Sequence, residues 1–99
     1  MKAGTRVYDR RGATTVQLDA VHRPDGSLAI EGYDCGEAPM DAYGQEDLEY
    51  ELVIPAGEVQ KAVCAILRDY LASTGTPITA LRECLDAAKV KHKFRVIPG

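Results

Sequence analysis

The sequence predicts an α+β fold: an antiparallel sheet of about four strands, in the order β-β-β-α-α-β, with two helices packed on one face. Three observations carry that prediction. Apolar and polar residues alternate from Thr14 to His22, Ser27 to Tyr33, Leu48 to Ile54 and Val90 to Ile97, the period of a half-buried strand. Between Glu58 and Ala88 the spacing changes to three and four, the period of a helix with one apolar stripe. Proline and glycine punctuate the joints between these stretches. A sheet with both helices on one face would bury every stripe at once.

The elements follow in order. Residues 1–13, with Lys2, Arg6, Arg10 and Arg11 against Asp9, read as a basic arm, either frayed or adding a short strand through Val7 and Tyr8. Residues 14–99 form one domain. Val16, Leu18 and Ala20 define the inner face of the first strand, with Thr15, Gln17 and Asp19 outward. Arg23-Pro24-Asp25-Gly26 reverses the chain: proline presets φ and Gly26 accepts a positive one. The return strand places Leu28 and Ile30 on one face.

Gly36, Pro39 and Gly44 then interrupt any regular pattern, so an irregular segment is expected there. In the next strand Leu48, Tyr50, Leu52 and Ile54 share one face, and Glu49 and Glu51 the other. Pro55 and Gly57 end it.

The first helix runs from Glu58 to Ser73. Its stripe is Val59, Ala62, Val63, Ile66, Leu67, Tyr70 and Leu71, with Cys64 on its flank and Gly75 just past its end. A shorter helix is expected from an N-cap at Thr79 to Ala88, its inner face Leu81, Cys84, Leu85 and Ala88. In the final strand Val90, His92, Phe94 and Val96 face inward. Lys91, Lys93 and Arg95 face outward, where they would complement Glu49 and Glu51 if those strands pair.

Composition bounds the function. With 99 residues, 45% apolar and 27% charged, the chain suits a small globular domain and not a disordered tail. The first thirteen residues hold no apolar run, so no secretory leader is expected, and nothing approaches a membrane span. Three cysteines, far apart and without a C-x-x-C pair, suit reduced thiols in a cytoplasmic protein.

From Thr14 onward the chain resembles a group of small uncharacterised bacterial proteins of the actinobacterial type. Leu18-Asp19-Ala20-Val21, Gly26-Ser27-Leu28, Ile30-Glu31-Gly32-Tyr33-Asp34, Glu49-Tyr50-Glu51 and Val53-Ile54-Pro55-Ala56 carry the resemblance, with Leu85-Asp86, Val90 and Phe94 near the end. It departs from the group's pattern at His92, where an aromatic is frequent, and at Cys84, where a tryptophan is. The resemblance implies the fold and no catalytic signature. Small acidic α+β proteins also include immunity proteins that neutralise toxins, an analogy of type alone.

The charge distribution is the one pronounced asymmetry. Eight acids and no lysine or arginine lie between Glu31 and Glu51; the remaining residues hold seven acids and all twelve Lys and Arg. A net −3 is thus a −8 block in a +5 body. One-signed fields steer oppositely charged partners. The expected function is a protein-binding module, of the immunity-protein or antitoxin kind, presenting Tyr33, Glu37, Asp41, Tyr43, Glu46 and Asp47 to a basic, nuclease-type partner. The plain alternative is a solvated acidic loop.

No catalytic or cofactor motif is present: neither a phosphate-binding glycine loop nor a G-x-S-x-G elbow occurs. His22 and Cys35 would lie roughly 26 Å apart along the hairpin, too far for a thiol–imidazole pair. Cys84 and His92, both expected inside, leave a small ligand-binding or enzymatic site as the second reading. His and Cys show no zinc spacing, and the acids do not follow a calcium-loop pattern. A basic stripe from Lys89 to Arg95 lacks the aromatic interleaving of nucleic-acid binders, and the acidic block would repel phosphate. A homodimer through a sheet edge is a third possibility.

Overall fold

A computed structural model describes residues 4–98. The described residues divide into two compact units, 4–62 and 63–98. The fold class is α+β. Four strands form one antiparallel sheet in sequence order: β1 (Thr5–Arg10), β2 (Thr14–His22), β3 (Leu28–Gly36) and β4 (Asp47–Ile54). A short helix α1 (Glu37–Tyr43) joins β3 to β4. A single 3₁₀ turn (Ala56–Glu58) leads into α2 (Val59–Ala72), and α3 (Pro77–Ala87) follows.

The alternation read from the sequence holds in the sheet. Ala20 pairs with Ile30 and Ile30 with Leu52; Leu18 pairs with Gly32 and Gly32 with Tyr50. Val16, Leu18, Ala20, Leu28, Ile30, Leu48, Tyr50, Leu52 and Ile54 therefore share one face, since directly paired residues point the same way. The opposite face takes Gln17, Asp19, Glu31, Tyr33, Glu49 and Glu51.

The β2–β3 hairpin closes as expected. Gly26 has φ 88° and its N–H donates to the Arg23 carbonyl at 2.9 Å. Asp25 accepts from the Ser27 amide at 2.8 Å and the Ser27 hydroxyl at 2.6 Å, and these donors lower its pKa below the ordinary carboxylate value.

The fourth strand comes from the other end of the chain. The arm supplies it: Thr5–Arg10 pairs with β2, with a register shift between Arg6 and Tyr8. Lys2 of the arm lies outside the described residues. Residues 90–98, expected as the last strand, are irregular. Val96 is 81% exposed and Phe94 is exposed too, not inward. Phe94 instead lies under Arg82, 4.2 Å from guanidinium carbon to ring centroid.

Helix ends differ from expectation in physically instructive ways. The first long helix ends without help from Gly75, whose φ is not positive. The Ser73 and Thr74 hydroxyls donate to the Tyr70 and Leu71 carbonyls at 2.6 and 3.1 Å. The second begins with Thr76 at the cap and Pro77 in its first turn, where a missing N–H costs nothing. Thr79 sits inside it. Its far end closes through Lys89 at φ 57°: the Lys89 N–H reaches the Asp86 carbonyl and the Val90 N–H that of Leu85.

The stripes of α2 and α3, expected to be buried, hold no buried residue. Ile66 is 63% exposed, and Cys64 and Cys84 are exposed as well.

Candidate functional site

The acidic block splits into two populations according to backbone position. On the polar face of the sheet most acids have partners. Arg23 reaches across from the hairpin turn, placing a guanidinium nitrogen 2.8 Å from Glu51 and 3.9 Å from Glu31. Arg6 of β1 donates to Asp19 at 2.6 Å and to Asp9 at 3.2 Å. Arg6, Asp19, Glu31 and Glu51 line a shallow concavity of about 600 Å³ with Gln17, Tyr33 and Glu49. Partly solvated pairs of this kind contribute little stability each.

Two tyrosine–aspartate bonds stitch β3 to β4, one on each face. The Tyr33 hydroxyl donates to Asp47 at 3.1 Å, and the Tyr50 hydroxyl to Asp34 at 2.7 Å. Both phenols are pushed up to about 12, Tyr33 by its contact with Cys35 and then by Asp47, Tyr50 by its bond to Asp34.

The second population belongs to α1 and the turn after it. This segment was expected to be irregular, yet Glu37–Tyr43 is helical. Pro39 is tolerated because it falls in the first turn, where N–H groups have no intrahelical acceptor. The donors that do remain are met from the start of β2 and the residue before it: Glu37 N–H to the Ala13 carbonyl at 3.2 Å, and Ala38 N–H to Thr14 Oγ1 at 2.9 Å. Gly36, at φ 123°, lets the chain pass so close to Ala13 that a Cβ there would overlap its carbonyl. Gly44, at φ 71°, ends the helix.

Glu37, Asp41 and Glu46 are exposed and, among the described residues, form no ion pair. Tyr43 is 66% exposed and Met40 is exposed one turn before it. Beside the helix runs a groove of about 410 Å³ lined by Ala13, Cys35, Gly36, Met40, Glu37 and Glu46. Its floor is small and apolar, its rim anionic. A lysine or arginine side chain has matching chemistry, with an alkyl stem for Met40 and a cation for the two glutamates.

No family model, curated protein or solved structure matches the chain. The resemblance to small bacterial proteins therefore rests on its quoted residues and brings no activity with it.

Of the six residues singled out in the sequence, Glu37, Asp41, Tyr43 and Glu46 come together at α1 and its following turn. Tyr33 and Asp47 are bonded to each other on the polar sheet face. Met40, Cys35 and Thr14 were not anticipated at this site. Spacing signals none of them, because the pairing of β2 with β3 is what delivers Thr14 to the helix start.

The second reading is altered by the structure. Cys84 is exposed on α3, and His92 is exposed in the irregular tail, not inside. The His92 ring nitrogens lie 2.7 Å from the Val90 carbonyl and 3.3 Å from Asp86. His22 pairs with Leu28 and Cys35 with Thr15, at opposite ends of the hairpin. Among the described residues no group of three or more His, Cys, Asp or Glu is arranged to hold a metal ion. No described helix is long and apolar enough to cross a membrane.

Proposed function

We propose that this chain is a non-catalytic, cytoplasmic protein-binding module that offers the surface of α1 and its flanking groove to a basic protein. The observation that carries the reading is the division of the acids. Most of those on the sheet are engaged with Arg23, Tyr33 and Tyr50, while Glu37, Asp41 and Glu46 stand exposed around Tyr43 and Met40. Unpaired anions beside an exposed tyrosine and methionine have the composition of a recognition surface, in which aromatic and thioether groups supply contact area and charge supplies rate and specificity. The concrete form is an immunity protein or antitoxin whose partner is a nuclease-type toxin with a cationic cleft.

The test is inhibition of a basic nuclease encoded beside this gene, with binding followed by calorimetry at two salt concentrations. Binding should weaken with salt. The triple variant Glu37→Lys, Asp41→Lys, Glu46→Lys should lose at least about a hundredfold in affinity, because like charges now meet across the interface. Glu49→Lys, on the sheet, should change it little. Undiminished inhibition by the triple variant removes α1 from the interface and ends this reading.

A further inference from the structure

We infer that the apolar face of the sheet is a homodimer interface, stacked on the same face of a second copy. This goes beyond the reading of α1 and does not depend on it. The paired rows Ala20–Ile30–Leu52 and Leu18–Gly32–Tyr50 form the middle of that face. Leu52 is 58% exposed and Tyr50 is exposed as well, both on the edge strand β4, beside half-buried Leu18, Ala20 and Ile30. Among the described residues the buried apolar side chains are Ala29, on the opposite face, and Pro39 of α1. A domain of this size holds together only by burying most of its apolar surface.

Size and charge select the occupant. β2 and β3 are nine residues each. With β1 of six residues and β4 of eight beside them, the sheet presents a projected face of roughly 500 Å² before side-chain corrugation. A standard interface takes about 800 Å² of accessible surface from each partner, so one such face against another is the right scale. A symmetric interface must also be compatible with itself, because the partner brings identical charges. The polar face fails that condition, with Asp19, Glu31, Glu49 and Glu51 on it. The apolar face comes closer to it, its one arginine, Arg10, lying at the β1 edge beside Val16. Asp34, the carboxylate among these rows, already accepts the Tyr50 hydroxyl.

The sheet edges are less suited to self-association. β4 carries Asp47, Glu49 and Glu51, which would confront their own copies in an edge pair, and β1 is interrupted by its register shift. Face-to-face stacking about 10 Å apart avoids both obstacles.

Sedimentation velocity on the full chain at micromolar concentration should give twice the 10.7 kDa chain mass. Leu52→Glu should raise the dimer dissociation constant by at least about a hundredfold, as placing a charge on an apolar contact row does. Val53→Glu, one residue along and on the polar face, should leave the dimer intact. A measurement without substitutions covers the case in which Leu52→Glu fails to fold. In a mixture of isotope-labelled and unlabelled wild-type chains, intermolecular contacts should connect the Leu18, Ile30 and Leu52 methyl groups. A wild-type monomer overturns the inference. So does a dimer indifferent to Leu52→Glu, or methyl contacts that lead only to Ile66 and Leu67 of the same chain.

Discussion

Leu48–Ile54 and residues 90–97 carry the same alternating pattern, with charged side chains between apolar ones, and they adopt different states. The first is strand β4; the second is irregular and exposed. Alternation specifies two faces but not a neighbour, and a strand needs a neighbour with unpaired backbone groups. β4 follows β3 through a tight connection in which Gly36 N–H donates to the Glu46 carbonyl, so its register is set before its side chains meet. The tail has no such start. It leaves α3 through Lys89 in a left-handed turn, and its aromatic residue is taken up by Arg82.

A proline scan should break the likeness of the two segments most sharply. The Gly36–Glu46 bond fixes the alternation of ladder bonds, which directs the Leu52 N–H at Ile30. Leu52→Pro removes that donor and strands a carbonyl, at a cost of at least about 2–3 kcal/mol in urea unfolding. Lys93→Pro in the tail should fall within about 0.5 kcal/mol of wild type. Equal costs at the two positions would mean that residues 90–97 are paired as a strand after all.

Gly32→Val should rank next. The Tyr50 ring lies across Gly32, so a Cβ there would overlap it. The ring must swing away, which breaks its bond to Asp34 and loosens β4 from β3; overpacking of this kind costs about 1–3 kcal/mol. Thermal unfolding measures it. A neutral result would show that the ring does not cover the strand.

These positions also mark what the sequence made legible. The faces of β2, β3 and β4 were readable because a period of two maps directly onto the two sides of a sheet. The turn at Pro24-Asp25-Gly26 was readable because its geometry demands those residues. α1 was not: Gly36, Pro39 and Gly44 look like breakers, yet two of them bound a helix and the third sits in its first turn. Its missing acceptors come from Ala13 and Thr14, contacts that no local window contains. The same reason left β1 as one of two alternatives for the arm, since its pairing with β2, which joins Arg6 to Asp19, is not local, and it hid the role of Arg23 as the counter-ion of Glu51. Four of the six chosen site residues gathered at α1 because charge and surface turn chemistry are local properties. Tyr33 and Asp47 became each other's partners through a cross-strand diagonal.

In the second unit a gain is expected. Lys89 occupies a left-handed conformation that costs a side-chain-bearing residue about 1 kcal/mol and glycine almost nothing. Lys89→Gly should raise the stability of α3 by about 0.5–1 kcal/mol, read as slower amide exchange in its last turn. The same substitution at Lys91, beyond the turn, should be neutral. If both are neutral, the helix does not close through Lys89.

The smallest effect concerns the stitches that β4 has and the tail lacks. The phenols of Tyr33 and Tyr50 rise from 10.0 to about 12 in the folded chain, so the fold favours their protonated forms. Their stabilising contribution is complete below pH 10.0, the value in the unfolded chain, and is lost as pH climbs through about 12. Ionisation there removes the donor and sets a phenolate against a carboxylate. Phenolate absorbance should therefore show late-titrating tyrosines, and Tyr50→Phe should remove one of them while costing about 0.5–1 kcal/mol near neutrality. Cys35→Ala separates the two stitches. It should bring Tyr33 down toward its ordinary value, because Cys35 is the first cause of that shift, and leave Tyr50 where it is. If Tyr50→Phe instead leaves every late titration in place, its hydroxyl is not bonded to Asp34, and the β3–β4 ladder alone distinguishes β4 from the tail.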